Sequence, residues 1–171
     1  MGAALASMVC NLTVGKKKYA HVEEDVLKIL EKAESLRLEL LEQIDGDAVG
    51  FEPLANAYKI PKDDPKRDEI MEEALRFACI VPLKIINGCA EILKLLDELA
   101  DKGSVLALSD VGCGAECCRT AALSAWISFK INARDMKDRE YADKLTAETE
   151  NTVLYCRNTA EEIYDRVLAK M

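Results

Sequence analysis

The chain has 171 residues, half of them hydrophobic and only 5% aromatic, with 31 acidic against 23 basic side chains for a net charge of −8. That length buries one substantial core and is short for two, and the acidic balance excludes the broad basic face that a nucleic acid needs. No uncharged run approaches the ~20 residues of a membrane span, so neither a nucleic acid nor a membrane is an expected partner.

Abundant Ala, Leu, Glu and Lys with few aromatics predict an all-α fold, a single-domain bundle of long amphipathic helices. Seven cysteines, odd in number and set in apolar stretches such as Phe77-Ala78-Cys79-Ile80, read as reduced and buried, which places the protein in the cytoplasm. Residues 1–14 carry no leading positive charge, and Ala6 stands where a myristoylation signal has Ser or Thr, so no secretory or lipid signal is expected. Cys113, Cys117 and Cys118 fall within about one helical turn, yet no Cys-x-x-Cys pair accompanies them and no metal site is expected. His21 is the only histidine, and its neighbours Glu23 and Glu24 mark it as a solvated helix start rather than an acid/base catalyst.

In chain order, residues 2–14 form a small-residue apolar segment, which Gly15 ends and Lys16, Lys17 and Lys18 follow. On charge alone the three lysines complement the helix C-terminal dipole, at roughly 0.3–1 kcal/mol each; the other reading is a patch for one small polyanion. Val22, Val26, Ile29, Ala33, Leu36, Leu40 and Ile44 recur at spacings of three and four and predict an amphipathic helix over 21–44. Gly46, Gly50 and Pro53 then loosen it, and Asp45 and Asp47 beside Gly46 read either as break signals or as site carboxylates.

Residues 59–65 read as a connector in which Lys59 is solvated. Asp64-Pro65 opens a helix over about 66–100, kinked at Pro82 and closed by Gly103. A low-charge helix follows over about 110–133, capped by Ser109 or Asp110 at about 1 kcal/mol and ended by Asn132. The last helix covers about 135–169.

Taken together, Leu12-Thr13-Val14-Gly15-Lys16-Lys17-Lys18-Tyr19, Asp45-x-Asp47-Ala48, Ala57-Tyr58-Lys59-Ile60-Pro61-Lys62, Val81-Pro82-Leu83, Ser109-Asp110-Val111-Gly112 and Lys130-Ile131-Asn132 resemble the formiminotransferase-cyclodeaminase C-terminal family, in order and over nearly the whole chain. The chain departs from the family pattern at Pro53, at Ser104 after Gly103, and in starting at Met1 where the family has a further helix and a Gly-rich loop upstream. The resemblance implies a helical homodimer acting on a tetrahydrofolate substrate without metal or redox cofactor. The implied reaction is hydrolysis of 5,10-methenyltetrahydrofolate to 10-formyltetrahydrofolate; the alternatives are formiminotetrahydrofolate cyclodeamination and a non-catalytic folate-binding or oligomerising role. It further implies Asp110 and Asp47 as catalytic carboxylates, Lys16, Lys17, Lys18 and Lys59 as partners of the glutamate tail, and Asn132, Ser109 and Asp45 as partners of the pteridine.

Overall fold

The computed structural model describes residues 1–171 as six α-helices with two single-turn 3-10 segments and no strand, so the protein is all-α. The helices are α1 Gly2–Asn11, α2 Glu23–Ala57, α3 Arg67–Ala78, α4 Ile80–Lys102, α5 Leu108–Asp135 and α6 Arg139–Ala169. Short connections make α4, α5 and α6 antiparallel neighbours, as in an up-down bundle. Lys170 at the end of α6 therefore reaches Asp101 at the end of α4, at 2.6 Å. The largest core cluster draws 25 buried residues from α1, α2, α4, α5 and α6, with the turn residue Ala107. A second cluster, including Leu54, Ala57, Leu75, Phe129 and Met136, closes the opposite end. The bundle thus has a Lys102 end and a Phe129 end.

Four features of the sequence reading need correction. Helix α2 does not loosen at Gly46, Gly50 and Pro53 but runs on to Ala57. Gly46 and Gly50 pass the side chain of Val81, where an added Cβ would lie 3.7 and 3.8 Å from its Cγ2. Contact with α4 thus outweighs the weak helix propensity of glycine. Pro53 sits on the exposed side, beyond an exposed Val49 whose carbonyl it leaves without a helical donor.

The second correction concerns the helix over 66–100, which is two helices broken at Cys79, three residues before Pro82. Proline has no N–H to give the carbonyl four residues back, and that carbonyl belongs to Ala78. Asn132 of α5 supplies the missing donor, its Nδ2 bonding Ala78 O at 3.2 Å. The third is that Ser109 and Asp110 do not cap α5. They lie inside its first turn, the N-cap is Ala107, and no side chain caps it. The last helix begins at Arg139 rather than near 135, because Asp138 accepts the Tyr141 N–H as its N-cap.

These assignments predict a coupling. Asn132→Ala leaves the Ala78 carbonyl without a donor and lowers stability by about 1–3 kcal/mol in chemical denaturation. In a Pro82→Ala background, where residue 82 regains its N–H, the same change costs measurably less; equal costs in both backgrounds would rule out this role for Asn132.

Candidate functional site

The Lys102 end carries the first group of candidates. After α1 the chain turns through Gly15, the one residue with positive φ (76°), which favours glycine. Lys16, Lys17 and Lys18 follow, all exposed, and none pairs with a carboxylate; the Lys18 ammonium lies over the Tyr19 ring, 5.4 Å from its centroid.

Two hydrogen bonds fix this loop to the turn that opens α5. Buried Thr13 donates its hydroxyl to Val9 O at 2.7 Å and accepts the Ser104 N–H at 2.8 Å. Tyr19 Oη accepts the Val105 N–H at 3.0 Å, a bond that holds its hydroxyl below the usual tyrosine range. Gly103 has room for no side chain, since a Cβ there would lie 2.6 Å from Leu99 O and 2.9 Å from Val9 Cγ1. The turn therefore delivers Ser109, exposed, and Asp110, half-buried, to the first turn of α5, where a carboxylate also meets the positive end of the helix dipole.

The remaining candidates lie at the other end. Asp25 near the start of α2 pairs with Lys102 at 2.8 Å, and Asp45 and Asp47 lie about 30 Å further along that helix at 1.5 Å per residue. Both are exposed, beside the Gly46 that faces Val81 at the start of α4. Lys59 follows the end of α2 and bonds Asn56 Oδ1 at 2.9 Å. Asn132 is half-buried near the end of α5 with its Nδ2 committed to Ala78, so only its Oδ1 is free for a ligand.

Ser109 and Asn132 are separated by about 34 Å of helix. Within one protomer the structure therefore puts Lys16, Lys17, Lys18, Ser109 and Asp110 at the Lys102 end, and Asp45, Asp47, Lys59 and Asn132 away from it without gathering them into one cluster. It does not bring Asp110 and Asp47 together.

The sequence reading missed a groove of about 500 Å³ at the Phe129 end, between α5 and α6. It is lined by Lys130, Arg134, Arg139, Asp143 and the exposed Ile127 and Ile131. Arg134 pairs with Asp135 at 2.9 Å and Arg139 with Asp143 at 2.6 Å, whereas Lys130 has no carboxylate partner and lies over Trp126, the sole tryptophan, 5.3 Å from a ring centroid. The cation spacing Lys130, Arg134 at i, i+4 was the available signal. The three clustered cysteines diverge, with Cys113 exposed, Cys117 half-buried and Cys118 buried, and no group of three ligating side chains is placed to hold a metal.

The bundle thus carries unpaired ammonium groups on a loop tied to the turn that opens α5 and presents a half-buried carboxylate, within a strongly acidic protein, an arrangement suited to a small anionic molecule. Residues 1–151 match the formiminotransferase-cyclodeaminase family, and the chain belongs to it. It is 38% identical to the methenyltetrahydrofolate cyclohydrolase of Methylorubrum extorquens, over 100% of this chain and 84% of that protein. It is 32% identical to the formimidoyltransferase-cyclodeaminase of Rattus norvegicus, over 84% of this chain but 27% of that longer protein. The fold matches the crystal structure of formiminotetrahydrofolate cyclodeaminase from Thermotoga maritima with a TM-score of 0.83 and 27% identity, over 98% of this chain and 83% of that one.

The anchoring of the lysine loop gives a direct expectation. Thr13→Val keeps the shape but strands the buried Ser104 N–H, costing about 1–3 kcal/mol. Freed from that anchor, the loop is cut faster by trypsin at Lys16, Lys17 and Lys18 under native conditions; an unchanged cleavage rate would show that Thr13 does not hold it.

Proposed function

We propose that the protein hydrolyses 5,10-methenyltetrahydrofolate to 10-formyltetrahydrofolate as a cytosolic enzyme needing no metal or redox cofactor. The observation that carries this reading is the placement of three unpaired ammonium groups on a loop hydrogen-bonded to the turn that presents Asp110. The relationship to a cyclohydrolase over the full chain supports it.

The bridge carbon of the substrate is cationic and already electrophilic. Water adds to it, and the resulting tetrahedral adduct loses its bond to N5, leaving the formyl group on N10 and releasing one proton. A carboxylate at the bridge stabilises the cation, accepts the proton from water and passes a proton to the departing nitrogen. Asp110 and Asp47 are the carboxylates for that work, Asn132, Ser109 and Asp45 offer hydrogen bonds to the pteridine, and the lysines hold the glutamate carboxylates as mobile point charges. The same geometry serves formiminotetrahydrofolate, with ammonia as the leaving group, and the Thermotoga structure supports this as the second reading.

The distance between the two groups of candidates has a consequence for assembly. One pteridine cannot touch both Asp110 and Asp47 of one chain, whereas an antiparallel pair of chains sets the Asp110 end of one against the Asp47 end of the other. The outward face of α5 suits such a seam. Ser109, Thr120, Ser124, Ile127 and Ile131 are all exposed and uncharged along it, with Ile127 71% and Ile131 56% exposed. We therefore read the functional unit as a homodimer with two composite sites.

Loss of methenyltetrahydrofolate absorbance above the buffer rate tests the activity, and Asp110→Asn lowers kcat by about 10²–10⁴-fold. Replacing Lys16, Lys17 and Lys18 together by Ala raises KM with kcat largely kept, and this effect fades at high salt. Decay at the buffer rate with wild-type protein would overturn the cyclohydrolase reading. The composite site is tested separately by tagging Asp110→Asn and Asp47→Asn chains differently and purifying the mixed dimer. It regains about half of the wild-type activity, because one of its two sites is intact; a mixed dimer as inactive as its parents excludes sharing of the site.

A further inference from the structure

The turn that opens α5 holds two large apolar side chains in solvent. Leu106 is 86% exposed, more than any other large hydrophobic residue of the chain, and Val105 is 59% exposed. The backbone beneath them is firmly held. The Ser104 N–H is bonded to Thr13 Oγ1 at 2.8 Å, the Val105 N–H to Tyr19 Oη at 3.0 Å and the Ala107 N–H to Ser104 O at 2.9 Å. Ala107 and Leu108 then turn into the core, and Ser109 and Asp110 reach the surface again. A single exposed leucine is ordinary on a protein surface. One held rigidly between a carboxylate and a cluster of free ammonium groups is placed to touch whatever bridges them.

The order of groups along this surface matches the order of chemistry in a folate. Asp110 comes first, then Leu106 and Val105, then Tyr19 bonded to the Val105 backbone, then Lys18, whose ammonium lies 5.4 Å from the Tyr19 ring centroid. Four residues of 3-10 and α-helical backbone separate Leu106 from Asp110, an advance of about 6–8 Å. In the substrate the bridge carbon is bonded to N10, N10 carries a flat benzoyl ring, and the far side of that ring carries the glutamate. With the bridge carbon at Asp110 and the glutamate at the lysines, the ring is the part that crosses the Val105–Leu106 turn. Aliphatic side chains there remove one face of the ring from water and give it dispersion contact.

We propose that Val105 and Leu106 form an apolar shelf for the benzoyl ring of the folate, with Leu106 as its main contact, spacing the bridge carbon at Asp110 from the glutamate at the lysine loop. This assignment rests on the folate reading of the site. The shelf discriminates by composition, because it favours a ligand that joins an aromatic ring to a carboxylate over free glutamate, which meets only the lysines. Tyr19 serves it indirectly, by fixing the backbone from which both side chains project.

The test uses the full chain and a probe that holds only the ring and its glutamate, p-aminobenzoylglutamate, with free glutamate beside it. In NMR spectra the aromatic protons of the probe show contacts to a leucine methyl signal that Leu106→Ala removes. That substitution weakens the probe about 5–20-fold without changing the binding of glutamate, and Leu106→Met recovers most of the loss. With 5,10-methenyltetrahydrofolate, Leu106→Ala raises KM by a similar factor and lowers kcat by less. No probe binding at millimolar concentration, contacts to other methyls alone, or equal weakening of probe and glutamate overturns the shelf. Dissociation of a wild-type dimer by Leu106→Ala also overturns it, because Leu106 then packs against the second chain. The two readings fail separately: probe contact at Leu106 without hydrolysis by the wild-type chain keeps the shelf and removes the reaction, whereas hydrolysis with KM unchanged in Leu106→Ala removes the shelf and keeps the reaction.

Discussion

The structure depends on the rigid length of α5. Its 28 residues extend about 42 Å through the middle of the bundle, where α1, α4 and α6 all pack against it. Such close contact on several sides requires small residues, and Gly112, Gly114, Ala115, Ala122 and Ala125 are all buried along it. The two glycines are tight positions. A Cβ on Gly112 would lie 3.3 Å from Val167 Cγ1, and one on Gly114 would lie 3.1 Å from a Leu96 methyl. Those contacts set the separation of α5 from its neighbours, and its length sets the separation of the two candidate half-sites.

Much of this fold was legible in the sequence because its signals are local. Spacings of three and four predict a helix wherever apolar residues fall on one stripe, and α2 begins close to the expected position. The misreadings share one physical origin. At Gly46, Gly50 and Pro53 the local preference was for a break, and packing against Val81 kept the helix intact. At Cys79 the helix broke earlier than Pro82 itself, and the carbonyl left over found its donor on Asn132, 54 residues away. No property of either segment alone encodes that bond.

The site was legible in part for the same reason. The lysine cluster is visible in any reading of charge, and the turn through Gly15 that presents it follows from glycine's freedom at positive φ. That Thr13 and Tyr19 bind this loop to Ser104 and Val105 is a contact across about 90 residues, and spacing says nothing of it. The resemblance named Asp110 and Asp47 together, and the structure keeps them apart within one chain.

The proposed division of the site between chains would change what each carboxylate contributes. In the isolated protomer Asp47 is exposed and Asp110 is half-buried, so water screens both, and a carboxylate at an effective dielectric near that of bulk solvent stabilises a nearby cation by only about 1 kcal/mol at 4 Å. Bringing the two ends together in the proposed dimer would exclude water from the space between them. It raises that interaction several-fold at an effective dielectric of about 20 and replaces mobile solvent with fixed groups aimed at the reacting carbon. The lysines would need no such enclosure in the proposed site, because loose and solvated contacts at its edge are enough to hold a glutamate tail. On the proposed reading, assembly would supply the electrostatics of catalysis, while the single chain would supply the capture of the anion.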